Sequence, residues 1–96
     1  MKILAIEKEV KGVKEKDFTR EILKKEANQA WKLFKDAAIR EMYFTKENNL
    51  AVLILEAGNK SEALKILSTL PLVKEKLIAF DIFPLLPNNG FERLFK

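Results

Sequence analysis

The chain has 96 residues, 48% hydrophobic and 33% charged, with a net charge of +4, three glycines, three prolines and neither cysteine nor histidine. That balance excludes a chain that is mainly disordered, and it bounds the protein to one domain over residues 1–96. The missing residues exclude disulfides, thiolate metal centres and imidazole chemistry, so any proton transfer must use carboxylates, lysines or Tyr43.

In chain order, Lys2 to Glu9 reads as a strand apolar on both faces, with Ile3 and Ala5 on one side and Leu4 and Ile6 on the other. Gly12 lies in a charged connection, and Asp17 is the expected N-cap of a helix with Glu21 in its first turn. Leu23, Ala27, Ala30, Trp31, Phe34 and Ala38 then recur at steps of three and four, opposite Lys24, Lys25, Asn28, Lys32 and Lys35. This is an amphipathic helix of about five turns, and its spacing puts Trp31 in the core. Ile39 to Lys46 and Leu50 to Glu56 form a hairpin across Glu47-Asn48-Asn49. Asn59 with Glu62 opens a second helix that Pro71 stops, and Leu77 to Phe83 is a last strand closed by Pro84. Residues 85–96 form a C-terminal tail whose Phe91, Leu94 and Phe95 have no place in a four-stranded core.

The order β-α-β-β-α-β predicts an α+β, ferredoxin-like fold: a four-stranded antiparallel sheet, first and third strands central, with two helices on one face. The first, third and last strands are apolar on both faces, so the second face needs a cover. A second copy stacked sheet to sheet supplies it, which predicts a homodimeric α+β barrel or a higher oligomer of such dimers, with the tail lying on the partner subunit or, as the alternative, capping the pocket. No stretch is long and apolar enough for a membrane span, and Lys2 to Ile6 is too short for a signal peptide, so no membrane association and a cytoplasmic location are expected. The 18 basic residues are interleaved with 14 acidic ones, as in Lys14-Glu15-Lys16-Asp17, the pattern of a solvated surface rather than a nucleic-acid-binding stripe.

From Ile39 onward the chain reads through Leu67-Ser68-Thr69-Leu70-Pro71-Leu72 to a strand ending Phe83-Pro84-Leu85. In these residues it resembles the muconolactone isomerase-like group of small dimeric α+β barrel proteins. The resemblance covers about the last 50 residues, and the first helix by its placement alone. It implies the ferredoxin-like fold, assembly from barrel dimers, and, for the enzymes that name the group, a cofactor-free proton shift in a small lactone acid. The isomerases carry histidine and arginine in the pocket strands, whereas this chain has no histidine.

A hairpin turning at Asn48-Asn49 would set Tyr43 opposite Ile54 and Glu41 opposite Glu56. The face lining the barrel would then hold Glu41, Tyr43, Glu56, Glu7, Asp81 and Phe83 with Ile3, Ala5, Val52 and Ile54, leaving Leu4, Ile6, Met42, Phe44, Phe80 and Ile82 under the helices. Opposed carboxylates that are partly buried raise one pKa toward neutrality, so Glu41 and Glu56 are the candidate proton-transfer pair. Alternatively both sit in water at the sheet end, or Arg40 or a lysine of a partner chain neutralises them. Tyr43, Asp81 and Glu7 are candidate ligand-binding groups for a small organic acid or lactone-like metabolite. No glycine-rich phosphate loop, activated nucleophile or metal-ligand cluster appears, and no cofactor or metal is expected. The competing reading is a non-catalytic ligand-sensing or dimerisation module.

Overall fold

The computed structural model describes residues 1–96, and its elements run β1 (Lys2–Glu9), α1 (Arg20–Lys35), β2 (Ile39–Phe44), β3 (Ala51–Glu56), α2 (Lys60–Leu67), α3 (Pro71–Lys74) and β4 (Ile78–Pro84). The four strands make one antiparallel sheet in the order β2-β3-β1-β4, the ferredoxin-like order with the first and third strands central. Short 3-10 turns at Glu15–Asp17 and Gly90–Phe95 complete the chain. No helix is long and apolar enough to cross a membrane.

Local chemistry sets the element ends. Thr19, not Asp17, caps α1: its hydroxyl accepts the Ile22 N–H, while Asp17 accepts the Lys14 N–H and closes the preceding 3-10 turn. At the other end of α1, Ala37 takes a φ of 64° and the Ala38 N–H reaches back to the Leu33 carbonyl, a Schellman closure. Asn59 caps α2 as expected, its side chain accepting the Glu62 N–H. The Glu62 carboxylate accepts the Gly58 N–H, and a Cβ at position 58 would collide with that carboxylate. Pro71 does more than stop a helix. It stands at the first position of α3, where its missing N–H costs nothing.

The core lies between the sheet and α2: Ile3 and Ala5 of β1, Leu53 and Leu55 of β3 and Ile39 of β2 pack against Ala63, Leu67 and Leu70. The register explains the set, because Ile3 faces Leu55 and Ala5 faces Leu53 and Ile82. Leu4, Ile6, Val52, Ile54 and Phe83 therefore point to the other face, which no element of the chain covers. This corrects the expected division of β1: Ile3 and Ala5 lie under the helices and Leu4 and Ile6 on the open face. Both pairs are apolar, so side-chain alternation alone does not choose between them.

The first helix also departs from expectation. No residue of α1 is buried; Trp31 is 55% exposed, stacks on Phe34 with ring centroids 6.2 Å apart, and carries the Lys35 ammonium over its ring. Ala30 and Leu33 make the contact with the core in its place. The tail starts with the Leu85 N–H donating to the Lys2 carbonyl and is exposed toward its end, with Phe91, Leu94 and Phe95 each at least 75% exposed.

Candidate functional site

The hairpin decides the fate of the expected carboxylate pair. Its loop spans Thr45 to Leu50: the Thr45 N–H donates to the Leu50 carbonyl, the Thr45 hydroxyl accepts the Leu50 N–H, and Asn49 turns the chain with a φ of 56°. Phe44 then faces Ala51, Tyr43 faces Val52 and Glu41 faces Ile54, two residues from the register that a turn at Asn48-Asn49 requires. A bulge at Arg40 shifts the pairing again, so that Ile39 faces Leu55. Glu41 and Glu56 are consequently not opposed, and the expected pair does not form.

Each finds another partner. Glu41 accepts a hydrogen bond of 2.6 Å from the Tyr43 hydroxyl, and this bond to a carboxylate pushes the tyrosine pKa up. Glu56 meets the Met1 ammonium at 2.9 Å, and that bond, aided by Arg40 and Lys2, holds its carboxyl below the usual range. The expectation of a carboxyl raised toward neutrality is thus reversed at Glu56. Asp81 pairs with Lys8 at 3.1 Å on the open face, half-exposed. Glu41, Tyr43, Glu56 and Asp81 fall on the open sheet face as expected, whereas Glu7 belongs to the opposite one, because it faces Phe80 in the register.

On that helix-side face Glu7 meets a cleft of about 570 Å³ between α1, the sheet and α3. The cleft lies beneath α1, no residue of which is fully buried. Two polar ties hold the helix toward the α2–α3 corner: the Gln29 amide donates to the Thr69 hydroxyl, and the Glu26 carboxylate accepts the Leu72 N–H at 2.9 Å. The second tie also satisfies an N–H of the first turn of α3 that no helix carbonyl can reach. Small side chains, Ala27 and Ala30, then leave the space beneath α1 unfilled. Phe18, Leu23, Met42, Phe44, Leu53 and Phe80 contribute to an otherwise largely apolar wall.

Two carboxylates enter this apolar space. Glu7 reaches from β1 and accepts the Ala51 N–H through Oε1 at 2.9 Å; Glu26 reaches from α1 and accepts the Leu72 N–H, also through Oε1. Neither has a basic side chain as a salt-bridge partner. Burial pushes the Glu26 carboxyl up; the Leu72 N–H opposes this and the nearby Glu7 charge reinforces it. Each carboxylate keeps Oε2 for another donor. Glu26 escaped the sequence reading, yet its signal was present: it stands three residues after Leu23 and four before Ala30, inside the apolar stripe of α1.

No cluster of three or more metal-ligating side chains is present. Compared with models of known protein families and with curated protein sequences, the chain matches none.

Proposed function

We propose that this chain is a small homodimeric α+β barrel protein, resembling the muconolactone isomerase-like group, that binds a small organic molecule in the cleft beneath α1. The carrying observation is the cleft itself. Its volume of about 570 Å³ falls in the range of ligand sites, and it combines an apolar wall with two carboxylates held in place by backbone N–H groups. An anionic acid fits this lining poorly, since no lysine or arginine contributes to it. Among the expected ligands, a neutral lactone-like compound suits it better. Binding without catalysis is the favoured form of the proposal, because Glu41 and Glu56 are not opposed in the register and each is held by another partner, Tyr43 and the Met1 ammonium.

A cofactor-free proton shift is the second reading. One observation favours it: Glu26 is a carboxyl that burial pushes up, at the edge of a ligand-sized space. Mass spectrometry of small molecules carried by the purified protein, followed by a thermal-shift screen of lactones and hydroxy acids, tests both readings. A ligand at about 100 times its Kd should stabilise the fold by about 2.7 kcal/mol. The same stabilisation after Leu53→Trp, which fills the cleft, would refute the location; solvent exchange of a ligand C–H that stops in Glu26→Gln would establish the proton shift.

A further inference from the structure

Resting on the reading of the cleft as a binding site, we infer that its preferred guest is an organic cation: a primary ammonium group on an apolar, ring-sized body. The lining contains two acidic side chains and no basic one. The groove that adjoins it past Glu7 brings Lys14, but with Glu9 and Glu15 beside it. Neither Glu7 nor Glu26 is paired with a cation of the chain, and each spends only one oxygen on a backbone N–H. A negative charge in apolar surroundings with no partner is costly, and an entering cation is the species that relieves it.

The guest's form follows from the rest of the wall. A divalent metal ion would need more oxygen ligands than two anchored carboxylates supply, and no third acidic group joins them. An ammonium needs only hydrogen-bond acceptors, and the two Oε2 atoms provide them. The rings of Phe18, Phe44 and Phe80 add faces that attract a cation and cover its apolar body. An alkylammonium stays charged at pH 7, as lysine does.

Three probes of one shape separate this inference from the reading beneath it: 2-phenylethylammonium, 2-phenylethanol and phenylacetate, each titrated by calorimetry and by amide chemical shifts of Ala30 and Phe80. The ammonium should bind at least about tenfold more tightly than the alcohol, and phenylacetate should bind most weakly, with shifts at both amides. In a Glu7→Gln, Glu26→Gln double variant, whose amides keep the backbone hydrogen bonds, the preference for ammonium over alcohol should fall to about one. Equal or tighter binding of the alcohol or the acid to the unaltered protein overturns the cation while leaving the cleft as a site. Preference retained in the double variant, verified as folded by circular dichroism, overturns the assignment to Glu7 and Glu26. No shift at either amide with any probe overturns the cleft reading and this inference together.

Discussion

Ala37 holds a left-handed conformation, φ 64°, at the residue that ends α1, where glycine is the residue of least strain. Replacing it by glycine removes the Cβ clash and returns some backbone entropy to the unfolded chain, so the net gain should be about 0.5–1 kcal/mol in urea unfolding. Glu26 offers a prediction of opposite character. Its carboxyl is raised in the folded chain, so the folded state binds more protons than the unfolded state between the ordinary glutamate pKa, about 4.3, and the raised value. This group's contribution to stability therefore falls as pH rises through that window. Glu26→Gln keeps an acceptor for the Leu72 N–H and loses the titration. Relative to the variant, the parent protein should lose stability as pH climbs above about 4.3, and parallel curves across the whole range would contradict the burial of this carboxyl.

Among the elements, the strands show how little a doubly apolar pattern says about register. β3 reads Ala51-Val52-Leu53-Ile54-Leu55, and either alternate set could have been the core face. The pairing with β1, Leu55 to Ile3 and Leu53 to Ala5, puts those two leucines on the core face, while the hairpin loop and the bulge at Arg40 set the pairing with β2 and place Glu41 opposite Ile54 rather than Glu56. The capping of α2 by Asn59 was legible because it depends on residues three apart, Asn59 and Glu62. The tie of α1 to α3 was not, because it rests on Glu26 meeting Leu72 across 46 positions of sequence. The C-terminal 3-10 turn is an element without a support of its own, its Phe91, Leu94 and Phe95 turned to solvent. Seating these three on a partner subunit would bury side chains worth roughly 1.5–3 kcal/mol each when fully covered. Deleting residues 88–96 should then weaken self-association by at least about tenfold, read by sedimentation equilibrium.

At the scale of the molecule, only 10 of 96 residues are buried, and the open sheet face presents Leu4, Ile6, Val52, Ile54 and Phe83 side by side. The radius of gyration, 15.4 Å, exceeds the roughly 13 Å of a compact chain of this length, in keeping with a tail whose end is exposed. These features support the proposed sheet-to-sheet dimer, since a face of this composition gains most from a second copy of itself. Ile54→Lys should give a single-chain mass in sedimentation at concentrations where the parent protein sediments as two chains, with the circular dichroism spectrum unchanged. A parent protein that stays a monomer at about 100 µM, far above the Kd of a stable interface, would remove the dimer from the proposal.

By itself the sequence determined the order of elements, the ferredoxin-like sheet with its first and third strands central, and the absence of histidine and cysteine chemistry. These depend on periodicity, capping pairs and composition, which are local or additive properties of the chain. Three-dimensional packing alone chose which face of β1 is the core, left Trp31 outside, brought Glu7 and Glu26 into one cleft and set Glu41 opposite Ile54 rather than Glu56. The last of these turns on a register set by one loop and one bulge, and the others on contacts between residues far apart in sequence. A shift of two positions leaves every apolar pattern intact and changes which carboxylates meet.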